Sequence, residues 1–360
     1  MSSVPTPGAP SDTAVLEVRD LHVTFQGRIG LGAGLAGKQA STSRAVDGVD
    51  LQLREAEVLA LAGESGCGKT TLARTIMGLE RPTSGEIRFE GEPLGRSTKL
   101  LREYRRRVQM VFQDPTAALN PRQTVYESIA EGLRIHGVTR QDGMTEEELV
   151  ARALARSGLR PPERLFLSYP HELSGGQRQR VVIAGCLVLE PEVIIADEPV
   201  SSLDASVRGE ILKLLLGLRD DFGIAMLVVT HDLGLAWTIA DRVAVMYLGR
   251  IVEVGPAEDV LTRPLHPYTQ ALLEVVPEAG GLSRPFLSGE PPDPTRIPEG
   301  CRFHPRCPEV ASGAAATAGV AERCTSEDLG LAELRPGHFA ACHLANAVAS
   351  ESKLTGSPRP

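Results

Sequence analysis

The chain has 360 residues, 42% of them hydrophobic, which is long enough for two or three domains and apolar enough for a large core. Its net charge of −8 comes from interspersed acidic and basic residues, so we expect neither nucleic acid nor an anionic lipid surface as the main partner. The sequence lacks an apolar run of about eighteen residues and a basic-then-apolar leader, so we expect a cytoplasmic protein without a membrane span.

The N-terminal half of the chain predicts strands followed by helices. Residues 1–12 are rich in Pro and Ser and are predicted to be a disordered tail. Strand patterns occur in AVLEVRDLHVTF, AVDGVDLQL and EVLALA, and a Gly-rich stretch at 27–44 predicts a flexible excursion between the first two. From about residue 114 to residue 180 the spacing of apolar residues behind Thr caps, as in TVYESIAEGLRIHG and TEEELVARALARSGL, predicts a helical insert.

The second half begins with two short apolar runs and ends in a different composition. EVIIADEP and AMLVVTHD are typical of strands buried in a parallel sheet, and helical sequence follows each. We interpret them as βα units of an α/β nucleotide-binding core. After about Pro264, Pro and Gly become frequent and the periodicity fades, which predicts a separate, small and irregular C-terminal extension.

The segment GESGCGKTT has the spacing of a phosphate-binding loop and lies between a predicted strand and a predicted helix. Its glycines let the backbone approach phosphate oxygens, and the start of the helix adds a positive dipole end. We predict that Lys69 reaches the β- and γ-phosphates and that the Thr70 hydroxyl binds Mg²⁺. A Gly-rich turn that binds nothing is the alternative. The predicted nucleotide contacts in the loop are Gly63, Glu64, Ser65, Gly66, Cys67, Gly68, Lys69, Thr70 and Thr71, with Cys67 interpreted as a small residue whose backbone matters.

Acidic and imidazole side chains follow the two buried strands. Asp197 and Glu198 end EVIIADEP, at the edge of the sheet where ligands of open α/β folds bind. We predict that Asp197 holds Mg²⁺, directly or through water, and that Glu198 polarises the water that attacks the γ-phosphate. Without the phosphate loop, an acidic pair that merely ends a strand would be the better interpretation. His231 ends AMLVVTHD and is predicted to hydrogen-bond the γ-phosphate or to orient the water.

A second helix start also looks suited to an anion. In LSGGQRQR, Ser174 is a predicted N-cap, and the glycines leave the N–H groups of the first turn bare. This motif, between the phosphate loop and the acidic strand, resembles the signature of the ATP-binding cassette (ABC) family. The resemblance covers about residues 13–265. It implies an ABC-type P-loop nucleotide-binding domain of the α/β class, with a RecA-like core, an antiparallel β subdomain and a helical subdomain.

The resemblance also implies roles for particular residues. The signature residues Ser174, Gly175, Gly176 and Gln177 would cap ATP held by a second cassette in a head-to-tail dimer, and Asp204 of SSLD resembles the D-loop at that interface. Gln113 of VFQDP resembles the glutamine that senses Mg²⁺ and couples to a membrane subunit, which makes Thr70, Gln113 and Asp197 the expected Mg²⁺ site and Glu198, His231 and Gln113 the expected catalytic residues. Phe25 falls where the family stacks a ring on adenine, although a core strand position is the alternative. Relatives usually carry Arg-Ala where this chain has Gly185-Cys186, a departure expected to alter a helix contact.

Finer motifs resemble one branch of the family. VFQDPTAALNPRQTV, YPHELSGGQRQR and the HPYTQALLEVVP segment are similar to bacterial dipeptide, oligopeptide and nickel importer cassettes, and most similar to the second cassette of the pair. This implies a peripheral subunit on the cytoplasmic face of the plasma membrane, with a second ABC ATP-binding subunit, two integral membrane permease subunits and an extracytoplasmic solute-binding protein as partners. A cassette for nickel or another small solute, a soluble non-transport ABC ATPase and a regulatory ATP-binding module are alternatives. The predicted regions are a disordered tail at 1–12, the ABC ATP-binding domain at 13–265, the C-terminal extension with the cysteines at 266–346 and a second tail at 347–360.

Four cysteines lie in the extension. Cys301, Cys307, Cys324 and Cys342 provide the number of thiolates that a tetrahedral zinc site or a [4Fe–4S] cluster requires. Zinc sites favour two tight Cys-x₂₋₄-Cys knuckles, which are lacking here, and the family resemblance also favours iron and sulfur. Zn²⁺ and reduced, unligated thiols remain alternatives, and His304, His338 and His343 are spare ligand candidates.

Overall fold

The computed structural model describes residues 13–26, 42–274 and 292–355, without the side chains of 351–355. The predicted tail at 1–12 and most of the predicted Gly-rich excursion lie outside the described residues. In place of the predicted C-terminal tail from 347, a helix covers His343–Thr355.

The strands are, in chain order, β1 (Ala14–Gln26), β2 (Thr42–Arg54), β3 (Val58–Ala62), β4 (Ser84–Phe89), β5 (Glu92–Pro93), β6 (Val108–Val111), β7 (Arg140–Gln141), β8 (Met144–Thr145), β9 (Val193–Asp197), β10 (Ala225–Thr230), β11 (Arg242–Tyr247), β12 (Arg250–Pro256), β13 (Ala332–Arg335) and β14 (His338–Ala340). The helices are α1 (Lys69–Ile76), α2 (Thr98–Arg107), α3 (Pro115–Ala118), α4 (Val125–His136), α5 (Glu146–Arg156), α6 (Gly175–Leu187), α7 (Ala205–Phe222), α8 (Leu233–Ile239), α9 (Ala257–Thr262), α10 (Pro267–Leu273), α11 (Pro308–Ala311), α12 (Ala314–Thr317), α13 (Ala321–Ser326) and α14 (His343–Thr355). Short 3₁₀ helices cover Pro162–Leu165, Pro170–Glu172 and His304–Arg306.

The described residues form two compact units, each built from separate stretches of chain. The first unit combines the chain up to Glu17 with Gln52–Val58 and Arg88–Val229. The second unit combines Val18–Leu51, Leu59–Ile87 and the chain from Thr230 onward. The predicted extension from residue 266 therefore belongs to the same unit as the phosphate loop.

The first unit contains three parallel strands, with β9 between β6 and β10. All residues of β9 and β10 are buried, which agrees with their continuous apolar sequence. The register pairs Ala196 of β9 with Val111 of β6 and with Val228 of β10. The parallel arrangement predicted from EVIIADEP and AMLVVTHD is confirmed, and it brings the carboxyl ends of β6 and β9 to one edge.

The helices of the first unit begin where the Thr caps predict. Thr124 caps α4 and Thr145 caps α5, each in a capping box with a glutamate three residues later, Glu127 and Glu148. Helix α6 packs against both α4 and α5. A two-stranded hairpin, β7–β8, lies between α4 and α5 and was not predicted from the sequence.

The second unit contains a sheet in which β11 pairs in parallel with β3 and antiparallel with β12. β12 then pairs with β14, and β14 pairs with β13, both antiparallel. The extension is therefore more regular than expected, because its hairpin β13–β14 belongs to the same sheet as the phosphate-loop strand β3. The parts of β1, β2 and β4 that belong to this unit form a second sheet, with β1 between β2 and β4.

Aromatic residues of the extension belong to the core of the second unit. Tyr268 of α10 and Phe303 are almost fully buried, and they pack with Tyr247 of β11 and with aliphatic residues of β3, β11, β12, α8 and α9. The ring centroids of Tyr247 and Tyr268 are 4.6 Å apart, and each lies 5.4 Å from that of Phe303. Burying such large rings stabilises the attachment of the extension to this unit.

Candidate functional site

The phosphate loop connects β3 to α1 and depends on glycine at two positions. Gly63 has φ +152° and Gly68 has φ +110°, which side-chain-bearing residues rarely adopt. A Cβ atom at Gly63 would lie 2.3 Å from the carbonyl oxygen of Met246, and one at Gly68 would lie 2.0 Å from that of Ala45. The backbone therefore passes too close to its neighbours for any other residue at either position.

Lys69 is held inside this loop. Its ammonium group donates hydrogen bonds to the carbonyl oxygens of Gly63 at 2.7 Å and Glu64 at 2.8 Å, and the residue is only 6% exposed. Gly68 is the N-cap of α1 and has no side chain, so the first turn of the helix keeps its N–H groups without a side-chain cap. A buried cation beside an uncapped helix start is the arrangement that phosphate oxygens require.

Cys67 contributes more than its backbone to the loop. Its side chain is buried, its sulfur lies 3.7 Å from Lys69 Nζ, and a Cβ atom at Gly63 would come within 2.9 Å of that sulfur. Burial raises the pKa of the Cys67 thiol. Besides the backbone role predicted for this small residue, the thiol fills the inside of the turn.

Glu64 makes contacts that the sequence did not predict. Its backbone N–H donates to the Tyr268 hydroxyl at 2.9 Å. Its carboxylate accepts two hydrogen bonds from the guanidinium of Arg306, at 2.8 and 3.0 Å. The hydrogen bonds that it donates to Glu64 raise the pKa of Arg306 above its ordinary value, so the guanidinium stays charged. The HPYTQ motif was the one sequence feature that could have pointed to the Tyr268 contact, whereas no motif pointed to Arg306.

The acidic pair lies at the end of β9 in the first unit. Asp197 is 5% exposed, and Glu198 follows it with φ +48°, in the left-handed region that non-glycine residues seldom occupy. The Glu198 N–H donates to the carbonyl of Val229 at 2.9 Å, which fixes this unusual backbone. Strain of this kind persists where the surrounding structure enforces it, most often at functional sites.

Gln113 meets Glu198 directly. Gln113 follows β6, and its side-chain nitrogen donates to Oε2 of Glu198 at 2.9 Å. Parallel pairing of β6 with β9 places the carboxyl ends of both strands together, so the two residues meet although they are 85 positions apart. The structure thus joins the predicted catalytic carboxylate to the predicted Mg²⁺-sensing amide.

The signature helix α6 begins as the sequence predicts. The Ser174 hydroxyl accepts from the Gln177 N–H at 3.2 Å, and the Gln177 side chain accepts from the Ser174 N–H at 2.9 Å. A Cβ atom at Gly176 would lie 2.6 Å from a methyl group of Val207 on α7, so a larger residue there would push on the next helix. Asp204 is the N-cap residue of α7. The signature motif and the predicted D-loop therefore lie on neighbouring helix starts of one unit.

His231 and Phe25 lie in the second unit and are solvent-accessible. His231 directly follows β10 and is exposed, and the next residue, Asp232, caps α8 by accepting from the Leu235 N–H at 3.1 Å. Phe25 lies near the end of β1 and is 42% exposed. An exposed ring argues against the alternative of a core strand position.

The unusual Gly185-Cys186 pair lies in the last turns of α6. The Cys186 sulfur donates to the carbonyl of Met110 at 3.6 Å, and burial raises the pKa of this thiol to about 12. A Cβ atom at Gly185 would meet no atom within 4 Å in the described structure. Cys186 therefore contacts β6 from α6, and Gly185 is adjacent to open space; that the pair alters a helix contact relative to other cassettes stays a prediction.

The four cysteines of the extension line one small cavity of about 20 Å³ in the second unit. Burial raises the pKa of all four thiols, that of Cys301 to about 11 and that of Cys342 to about 12. The donor set fits a cluster in number and type. The positions of the thiols in this structure do not fit a cluster, because the described residues contain no group of three His, Cys, Asp or Glu side chains placed to hold a metal ion. The iron–sulfur or zinc site therefore stays a prediction.

Comparisons with known proteins agree with this geometry. Residues 46–201 match the ABC transporter family model, and residues 252–313 match the C-terminal region of oligopeptide and dipeptide transporters. The chain is 42% identical to the oligopeptide transport ATP-binding protein AppF of Bacillus subtilis strain 168, over 93% of this chain and 99% of that protein. The chain belongs to the ABC family of ATP-binding cassettes. This cassette is also 44% identical to the oligopeptide transport ATP-binding protein OppF of Salmonella typhimurium strain LT2, over 86% of its own length and 92% of that protein.

Solved structures show the same fold. The cassette CbiO1 of Clostridium perfringens, part of the transporter complex CbiONQ, matches with a TM-score of 0.58 and 32% identity over 70% of this chain and 92% of its own. The cassette MJ0796, solved as a dimer bound to ADP and phosphate, matches with a TM-score of 0.57 and 27% identity, over 67% of this chain and 98% of its own. The predicted P-loop α/β fold is confirmed, and this cassette is an ABC ATPase that uses ATP and Mg²⁺. Among the described residues, no helix is long and apolar enough to cross a bilayer.

Proposed function

We propose that this cassette hydrolyses ATP to drive uptake of dipeptides or oligopeptides through a separate permease. The match of residues 252–313 to the C-terminal region of oligopeptide and dipeptide transporters carries the peptide part of the proposal. The names of the relatives AppF and OppF support it. The partners are a second cassette, two permease subunits and an extracytoplasmic binding protein, and the cassette works at the cytoplasmic face of the plasma membrane.

The roles within the cassette follow from the side chains. Lys69 neutralises the β- and γ-phosphates, while Thr70 and Asp197 hold Mg²⁺. Glu198 polarises the attacking water, and its hydrogen bond from Gln113 keeps the carboxylate oriented. His231 orients the water or the γ-phosphate. The signature residues that begin at Ser174 contact the ATP of the second cassette in a head-to-tail dimer.

The catalytic assignment is tested with Glu198→Gln. This variant should bind ATP as tightly as the wild type, because the phosphate loop is unchanged, while hydrolysis falls at least a hundredfold, within the range for removal of a general base. Glu192→Gln is the matched control: Glu192 immediately precedes β9 and pairs with exposed Arg107, so its loss should leave hydrolysis unchanged. Normal phosphate release by Glu198→Gln would refute the assignment.

We further propose that Cys301, Cys307, Cys324 and Cys342 hold a [4Fe–4S] cluster, with Zn²⁺ as the alternative. The number and type of the donors support this, and all four line one cavity, whose volume of about 20 Å³ would have to grow to admit a cluster. Metal binding would favour the thiolates over the buried thiols, whose pKa values are raised. When bound, the cluster would crosslink the loops of the extension. Anaerobically purified protein should be brown and contain about four irons per chain. Colourless protein with one zinc would favour the alternative, and protein with neither metal would leave reduced thiols.

A further inference from the structure

Glu64 is held at three points, and two of its partners come from the C-terminal extension. Its carbonyl accepts from Lys69, its N–H donates to Tyr268, and its carboxylate pairs with Arg306. Glu64 lies directly after Gly63, where a Cβ atom would lie 2.3 Å from the carbonyl oxygen of Met246. The extension therefore fixes both the direction of the first peptide of the phosphate loop and the charge beside it.

Arg306 is itself rigidly placed. The residue is 9% exposed, and its guanidinium lies 5.9 Å from the ring centroid of Tyr247 and 3.4 Å from the hydroxyl oxygen of that residue. It ends the 3₁₀ helix His304–Arg306, which follows Phe303 of the aromatic cluster. A buried guanidinium that binds a carboxylate with two hydrogen bonds loses little entropy and holds its partner in one orientation.

We propose that Arg306 is a positioning residue for nucleotide binding, which neutralises Glu64 and orders the phosphate loop from the extension. This inference depends on the proposal that residues 63–71 bind the phosphates. Without Arg306, an unpaired carboxylate would remain in a loop that must accept a polyanion, and like charges repel. Glu64 would also lose one of its three attachments. Both effects weaken ATP binding and leave Glu198 and Gln113 unaltered.

The test measures the Kd for ATP by displacement of a fluorescent ATP analogue, and kcat at saturating ATP, with the full chain. Arg306→Ala should raise the Kd about tenfold, the effect of about one charge interaction, and change kcat less than about twofold. Adding Glu64→Gln should restore the Kd to within about threefold of wild type, because the repelling carboxylate is gone. The Arg306→Ala defect should also shrink at 0.5 M salt, where exposed charges are screened.

Arg302→Met provides the matched comparison. Arg302 anchors the same extension, but on Asp47 and the carbonyl of Leu248, so its loss should lower stability and leave the Kd for ATP unchanged. If Arg306→Ala folds poorly, Arg306→Lys retains a charge without the double hydrogen bond, and its Kd should rise by less than about threefold.

Each opposite result overturns the inference. A folded Arg306→Ala protein with wild-type Kd, a double variant with no recovery, or an equal Kd increase in Arg302→Met would each show that Arg306 does not position the loop. The variant Lys69→Ala distinguishes a wrong role for Arg306 from a wrong assignment of residues 63–71 as the phosphate-binding loop. If Lys69→Ala binds ATP normally, the loop assignment itself is wrong. If Lys69→Ala loses ATP and Arg306→Ala does not, only the role of Arg306 is wrong.

Discussion

Replacing Arg302 with Met should lower the free energy of unfolding by about 3 kcal/mol. Arg302 is 6% exposed, and its guanidinium donates to the Asp47 carboxylate and the carbonyl of Leu248. Removing one partner of a buried ion pair costs roughly 3–5 kcal/mol, because the remaining charge stays buried. His22 still contacts Asp47 at 3.0 Å and Arg44 lies 3.6 Å away, which places the expected loss at the lower end of that range.

The same ion pair has a pH signature. Burial alone would raise the pKa of Asp47, but the hydrogen bond and charge of Arg302, with smaller effects of His22 and Arg250, bring it below its ordinary value of 3.8. A carboxyl whose pKa is lowered on folding contributes stability above its unfolded pKa and loses it as the pH falls through the folded one. The loss of unfolding free energy in Arg302→Met should therefore be complete at neutral pH and become smaller below about pH 4.

Urea unfolding followed by circular dichroism measures the effect in wild type, Arg302→Met and Asp47→Asn/Arg302→Met. The double variant should recover at least about 1 kcal/mol relative to Arg302→Met, because no buried charge remains unpaired. If Arg302→Met unfolds within about 0.5 kcal/mol of wild type, or if the double variant is less stable than the single one, this reasoning is wrong.

Three further stability predictions follow from single contacts. Burial lowers the pKa of His266 to about 4. The free energy of unfolding of the wild type should therefore fall by about 2 kcal/mol between pH 6.5 and pH 5, because only the unfolded chain gains the proton in that range. In urea unfolding, the free energy of unfolding of His266→Asn should depend less steeply on pH. Gly185→Ala should raise stability by about 0.5–1 kcal/mol, because the added methyl enters open space in a helix; a lower urea midpoint would contradict this. Thr124→Ala should lower it by about 1 kcal/mol through loss of the α4 cap, whereas Thr317→Ala, outside any such box, should change it less.

Local patterns made much of the fold predictable. The buried strands β9 and β10, the Thr caps of α4 and α5 and the Ser174 cap of α6 depend on periodicity or on residues three positions apart. Such signals appear in any single sequence because the physics that produces them is local. The hairpin β13–β14 escaped prediction because strands of four and three residues are too short to show alternation.

Contacts between residues far apart in the chain could not be predicted from the sequence. Glu64 and Arg306 are 242 positions apart, and each taken alone looks like an ordinary charged residue. Their contact depends on how Phe303 and Tyr268 dock the extension in the core of the second unit. The sequence predicted that Gln113 and Glu198 belong to one catalytic site but not that they contact each other, because that contact depends on the pairing of β6 with β9. The four cysteines were expected to gather and do line one cavity, but ligand geometry depends on thiol positions that spacing cannot specify.

Capture of the ATP-trapped cassette tests the central claim most directly. Tagged Glu198→Gln protein is loaded with ATP, pulled from detergent-solubilised membranes of its host and analysed by mass spectrometry, with Lys69→Ala, which should not trap ATP, as the control. An importer subunit should recover two polytopic membrane proteins and a second cassette, and the control should recover less of that cassette. Recovery of only soluble proteins, under conditions where bound ATP is demonstrated, would contradict the account and favour a non-transport ABC ATPase.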